Sequence, residues 1–302
     1  MNTIPQDQIA FRQLERLAAQ RQLYSYAKAV QVAQIILSVP IVILWSIAAV
    51  WFPFLQVYAA LWGIVIALVS VGLLTPWQQT LQQNAAKIQE LFDCDVLRIE
   101  WNQLRSGTKP APESVIEAAT AYKKRDPDYT ALKNWYPPAV GDLPLHLARI
   151  ICQRTNIWWD AKLRRRYATY VAGVVASLAI VVLILALING TTVEELILVG
   201  LAPLLPALVL GIRQYTEHRE AANNLDRLRE SAERIWSNAL AGATTQDLEA
   251  ESRNLQDLIY DNRRKSPLIQ DRIYNLLRGH QEAQMNKGAE TLVAEAQKYI
   301  RP

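Results

Sequence analysis

Asp93, Cys94 and Asp95 stand side by side in LFDCDVLRIEWN, residues 91–102. Two carboxylates beside a thiol could ligate a metal or support a nucleophile. Either chemistry needs more partners. A zinc site wants a histidine or a second cysteine, and a reactive thiolate wants a basic neighbour. The three histidines, His146, His218 and His280, are isolated in sequence. His146 and Cys152 are six residues apart, which misses the three- or four-residue spacing of a shared helix face. No Walker-type glycine loop, G-x-S-x-G or H-E-x-x-H occurs. The chain is therefore read as a non-enzyme, with no metal site and no cofactor. The basic runs Lys123-Lys124-Arg125 and Arg263-Arg264-Lys265 could bind phosphate, although a solvated charge run is the commoner meaning. Phe92, Cys94 and Val96 alternate, as do Leu97, Ile99 and Trp101, which predicts a short strand or extended turn here. Asp93 and Asp95 then belong to a joint between elements, and coupling is their expected role.

The elements on either side are set by hydropathy. Residues 30–52, 54–75, 167–193 and 196–212 contain long apolar runs, with Glu194 and Glu195 between the last two. A helix rises about 1.5 Å per residue, so roughly 20 apolar residues cross a bilayer core of about 30 Å. The first three runs clear that length; the fourth is shorter and carries Pro203 and Pro206. Four spans in two hairpins are expected. No secretory signal is expected, because the first apolar run follows a long polar lead.

Charge gives the orientation. The Lys and Arg residues number 4 in residues 1–29, 14 in 76–169 and 14 in 213–302, which accounts for all 32. Neither connecting turn has one. This positive-inside asymmetry places both termini and the central region on the cytosolic side of the membrane. Aromatic residues such as Tyr24, Trp77, Trp158 and Tyr170 lie near span ends, as interfacial belts do. The net charge of +4 fits an anionic inner leaflet, so no DNA or RNA partner is expected. Cys94 and Cys152 give no disulfide framework and suit a reducing compartment.

The expected fold class is an α-helical membrane protein whose spans continue into a mostly helical cytosolic domain. Residues 1–29 form an N-terminal amphipathic helix, and 30–75 the first hairpin, with spans at 30–52 and 54–75. Residues 76–168 are a cytosolic central region, and 169–212 the second hairpin, with spans at 169–189 and 195–212. Residues 213–302 form a C-terminal helical region packing on 76–168. After the second span Trp77, Leu81, Ala85, Ile88 and Phe92 follow the helical period; after the fourth, the period holds to about residue 240. Breaks are expected near Gly242 and at Ser266-Pro267, a short helix over 115–124, and kinks at Pro40, Pro203 and Pro206.

The spans carry no ionisable residue in their interiors, unlike proton relays and voltage sensors. Gln31, Gln34, Ser38 and Ser46 fall near one face of the first span, beside Trp45. Such a stripe lines a pore or bonds to a neighbouring helix. Gly200, Pro203, Ala207 and Gly211 on the fourth span, and Gly173 and Ser177 on the third, permit close helix contact. Four spans form a channel only when several copies surround an axis. An oligomeric pore gated from the cytosol comes first among the functions, then a non-conducting membrane-tethered sensor or scaffold, then a channel gated by another cytosolic ligand. A membrane enzyme ranks last.

Several segments also resemble one family: RQLERLAAQRQLYSYAKAV, LFDCDVLRIEWN, WYPPAVGDLPLHLARIICQRTNIWWDAKLRRRY, RQYTEHREAANNLDRLRE and ESRNLQDLIYDNRRKSPLIQDRIYNLLR. Together they resemble the SMODS-associated four-transmembrane effectors over nearly the whole chain. Arg98-Ile99-Glu100 departs from the less charged lead-in expected there. The resemblance implies an anti-phage defence effector. Its activating ligand would be a cyclic oligonucleotide made by an associated nucleotidyltransferase. Its partners would be copies of itself and the lipid bilayer, which it permeabilises, causing growth arrest or cell death. On that implication Arg149, Arg154 and Lys162 are candidate phosphate ligands, and Trp135 or Tyr136 a stacking platform. Gln31, Gln34, Ser38 and Ser46 are candidate pore-liners.

Overall fold

In a computed structural model, residues 2–188, 190, 192–197 and 202–300 are described. The chain begins with a short turn of helix, α1 (Ile4–Asp7), and a long helix, α2 (Phe11–Ser38), followed by α3 (Pro40–Trp51). Val39 between them leaves helical geometry, at φ −117° and ψ −72°. Pro40 is the cause. It has no N–H to donate, and it disfavours helical backbone at the residue before it. Val39 N–H still bonds to the Ile35 carbonyl, and the Val39 carbonyl accepts from Ile43, so the helix is kinked at Pro40, as expected. A 3-10 turn (Pro53–Leu55) leads into α4 (Gln56–Val69), a π turn (Ser70–Leu74) and α5 (Thr75–Leu97). The π turn has the same kind of cause: Pro76 removes one donor, and Thr75 N–H reaches back five residues to the Ser70 carbonyl. Side chains at Pro203, Pro206, Ser46 and His280, and all of Gly200, lie outside the described residues.

The polar connection holds α6 (Gln103–Ser106) and α7 (Pro112–Lys123), the latter covering the short helix expected at 115–124. Then comes α8 (Leu145–Ile188), 44 residues, or about 66 Å at the standard helical rise. A single turn, α9 (Val193–Glu195), precedes α10 (Ala202–Leu240). Gly242, at φ +93°, makes the turn into α11 (Thr245–Lys265), a conformation other side chains resist. Ser266–Gln270 links α11 to α12 (Asp271–Ile300). Both expected breaks, at Gly242 and Ser266-Pro267, are present.

Two antiparallel pairs organise these helices. Arg16 of α2 meets Asp95 of α5 at one end, and Gln34 meets Thr75 at the other. Arg154 of α8 pairs with Glu233 of α10, while Gly211 sits against Val175. A Cβ at 211 would collide with the Val175 side chain, so glycine permits the approach there. Gly173, by contrast, has open space beside it.

Burial divides each long helix in two. Val57, Leu68 and Val71 near the first turn, and Leu187 and Ile188 at the end of α8, are 69–76% exposed. The other ends bury Ile88, Phe92, Leu97, Ile150 and Ile151 in a core shared with α2, α7, α10, α11 and α12. Burial of that kind contributes about 1.5–3 kcal/mol per large side chain. Exposed apolar surface on this scale requires an apolar surrounding. Among the described residues three helices are long and apolar enough to cross a membrane: Phe11–Trp45, Val57–Leu97 and Leu145–Ile188.

One expectation fails. Over 92–97 the strand or extended turn is absent: α5 remains helical through Asp93, Cys94 and Asp95 to Leu97, a non-helical turn follows only over 98–102, and no strand occurs among the described residues. From Glu90 to Cys94 every residue is buried. A helix buried all round shows no 3.6-residue stripe, so its local alternation imitates a strand. Arg98 ends the helix in the left-handed region, at φ 52°.

Candidate ligand-binding site

The helix α2 carries Arg21, Tyr24, Ser25 and Lys28 at three- and four-residue spacing, hence on one face. That face looks into a cavity of about 920 Å³. The opposite walls come from the segment after α7 (Arg125, Trp135), from α8 (Trp159, Arg164), from Arg263 of α11 and from Tyr274 of α12. The floor includes the Ser266–Ile269 linker. Such a volume holds a ligand larger than a mononucleotide, and the walls offer aromatic faces and guanidinium groups together.

The wall cations differ in what they already hold. Lys28 pairs with Asp271 at 2.5 Å, and Arg164 lies 3.0 Å from Asp160 while donating to the Pro267 carbonyl. Arg21 donates to the Tyr274 hydroxyl at 2.6 Å, and Arg125 reaches only Ser25 Oγ at 3.5 Å. Neither Arg21 nor Arg125 has a carboxylate within ion-pair distance among the described residues. Three further wall residues hold buried donors with no acceptor: Trp135 Nε1, Arg263 Nη1 and Ser266 Oγ. Buried donors ordinarily find acceptors, and those left over around a cavity fit an acceptor-rich, anionic occupant.

Behind the Arg263 wall lies a buried ion network between α5 and α11. Asp93 accepts from the Tyr136 hydroxyl at 2.7 Å, from Gln256 at 3.1 Å and from Arg263 at 2.8 Å. Glu90, one turn earlier, accepts from Arg253 at 2.8 Å and from Gln256 at 2.8 Å. Burial, and then the Asp93 charge, raise the Glu90 pKa above its usual value, and Arg263 and Arg253 only partly oppose them. Burial disfavours the Arg263 charge, but Asp93 and Glu90 more than offset it and hold its pKa above normal. Burial, then Glu90, push the Cys94 thiol well above its usual range; burial, then Asp93, do the same to Cys152. Both thiols are therefore protonated and poor nucleophiles. No group of three or more metal-ligating side chains gathers among the described residues.

The linker after α11 touches the helices that lead to the apolar runs. Gln82 of α5 donates to the Arg264 and Ser266 carbonyls, and Arg164 of α8 to that of Pro267. The Leu268 backbone lies against the fully buried His218 of α10, and Gln270 donates to Gln31 of α2.

The residues singled out in sequence are scattered over this arrangement. Trp135 lines the cavity. Tyr136 is buried behind it, stacked on Phe92 with its hydroxyl on Asp93. Arg149 caps α5 by donating to the Leu97 and Arg98 carbonyls. Arg154 pairs with Glu233, and Lys162 meets Gln284 and the Trp158 ring. Asp95 holds Arg16 at the α2 contact, separate from Asp93. Gln31 and Gln34 bond to Gln270 and Thr75 within the chain, while Ser38 is half-buried. Sequence reasoning missed Arg21, Lys28 and Tyr274. The spacing of Arg21, Tyr24, Ser25 and Lys28 was the available signal. Each basic run contributes one wall residue, Arg125 and Arg263.

The SMODS-associating 4TM effector domain matches residues 2–292. A probable CBASS effector molecule of Bacillus cereus (strain VD146) is 27% identical over 193 residues, covering 64% of this chain and 63% of that protein. The match thus spans less than two thirds of that relative's length. No solved structure matches. With nearly all of its residues inside the family's domain, the chain belongs to the SMODS-associating 4TM effector family.

Proposed function

We propose that this protein is an anti-phage defence effector that binds a cyclic oligonucleotide in the cavity between α2, α8, α11 and α12, and in response permeabilises the bacterial inner membrane. The single observation that carries this reading is the cavity itself: Arg21 and Arg125, without carboxylate partners among the described residues, beside Trp135 and Trp159, between helices of which α2 and α8 run into apolar segments. Arginine forks suit phosphodiesters and the rings suit bases. The apolar ends of α2–α3, α4, α8 and α10 act as four spans in two hairpins, with both termini in the cytosol. The expected fourth span, 195–212, falls partly outside the described residues. Copies of the chain assemble around an axis, because one copy has too few spans to enclose a pore. Binding then shifts a closed-to-open equilibrium by as much as the ligand prefers the open state.

The test is dye release from liposomes containing the purified protein, with and without cyclic di- and trinucleotides. Nucleotide-dependent release supports the proposal. A second reading, a sensor that does not conduct, is favoured by one observation: Gln31 and Gln34 are already bonded within the chain, as helix-packing polar groups are. Binding without release at any protein density would select that reading.

A further inference from the structure

Arg263 belongs to two places at once. Its Nη2 sits 2.8 Å from Asp93 on α5, while its Nη1 makes no hydrogen bond and lies 4.0 Å from Glu90. The same side chain lines the cavity. Its partners are unevenly placed to lose it. Asp93 keeps the Tyr136 hydroxyl and Gln256 as donors if the guanidinium turns away. Lining the cavity, Arg263 can also reach an acceptor placed there.

We infer that Arg263 is the residue through which the site reads its occupant: an anionic group in the cavity takes Nη1, competes with Asp93 for the guanidinium, and shifts the end of α11. This inference rests on the cavity being the messenger site. A phosphodiester oxygen supplies the charge-assisted acceptor that Nη1 lacks. Once Arg263 is shared, its tie to Asp93 on α5 weakens, and the end of α11 is freed from that helix.

Geometry gives that shift a route. Arg263 stands at the last turn of α11, just before the Ser266–Gln270 linker. Gln82, Arg164, His218 and Gln31 touch the last turn of α11 or this linker, one from each of α5, α8, α10 and α2. Those four helices lead to the four apolar runs. A displacement of this segment therefore reaches both helix pairs together, and so reads as one switch rather than four. The π turn at Ser70–Leu74 gives α5 a place to yield, since its hydrogen bonding is already irregular there.

Competition fixes the sign of the test. By reciprocity, weakening Asp93's hold while the guanidinium remains must favour ligand binding, whereas replacing the guanidinium removes the ligand's own contact. The experiment uses the full chain in liposomes, with cyclic di-AMP, cyclic di-GMP and cyclic tri-AMP as probes. Asp93→Asn keeps the shape and removes the charge. It is expected to bind the active probe about tenfold tighter than wild type and to release dye with no nucleotide present. Arg263→Gln, which still donates to Asp93, is expected to bind about tenfold weaker and stay closed. A folded Asp93→Asn protein that binds no tighter, or that stays closed without nucleotide, overturns the inference. If Asp93→Asn does not fold, an Arg263→Gln protein with wild-type affinity overturns it. Should no probe bind wild type, the messenger-site reading falls, and nucleotide-free release by Asp93→Asn still decides the switch.

Discussion

Two arginine-rich regions lie within one side chain of each other and are built oppositely. In the α5–α11 network Arg253 and Arg263 are neutralised by Glu90, Asp93 and Asp257. At the cavity, Arg21 and Arg125 face hydroxyls and have no carboxylate in ion-pair range among the described residues. The first arrangement is that of a structural rivet, where each buried charge requires its partner. The second leaves cationic capacity for something outside the chain. The same residue type thus marks fold in one place and function in the other, and the partner list separates them.

The largest expected effect breaks the rivet. Arg263→Ala leaves Asp93 and Glu90 buried with less countercharge, and should cost about 3–5 kcal/mol of stability, read as a lower melting temperature in detergent. Arg125→Ala should hardly move that melting point, and Arg21→Ala, which loses its bond to Tyr274, should move it far less than Arg263→Ala. Each should instead weaken cyclic-nucleotide binding by roughly ten- to a hundredfold, the weight of one charge-assisted hydrogen bond, measured by equilibrium binding. If all three variants lowered stability alike, the contrast between the regions would be lost.

A pH dependence sharpens it further. Burial, with Arg164 nearby, lowers the His218 pKa from 6.5 to about 3. The unfolded chain then takes up a proton that the folded chain refuses. Stability from this site is present above pH 6.5 and lost as pH falls toward about 3. At pH 5 the loss should be about 2 kcal/mol, and His218→Phe should flatten that acid limb in thermal melts. The smallest effect concerns Arg149. Arg149→Met removes its two bonds to the end of α5, for about 1–2 kcal/mol, with nucleotide affinity unchanged.

Much of the fold was legible because it rests on local rules. Pro40, Gly242 and Ser266-Pro267 interrupt helices for backbone reasons that any sequence reader can apply. The α10 helix keeps its period to Leu240 because one face is exposed. The LFDCDVL segment was misread because all of it but Asp95 is buried, so hydropathy carried no helical period there. The site was less legible for a different reason. Its walls come from five stretches of chain, and the chemistry of each arginine depends on its partner. Arg149 looked like a phosphate ligand and is a helix cap; Arg263 sat in what looked like a solvated run and is buried. Spacing within one helix could have found Arg21 and Lys28, but nothing local says that they face Trp159 and Tyr274.

The most direct test of the central claim, that this cavity governs the membrane segments, is dye release from liposomes bearing wild type or the Arg21→Ala/Arg125→Ala double variant. Both are reconstituted at equal density and challenged with the same cyclic nucleotides. The account predicts release by wild type and none by the double variant at the same concentration, with both proteins folded. Equal release from the two proteins would contradict it.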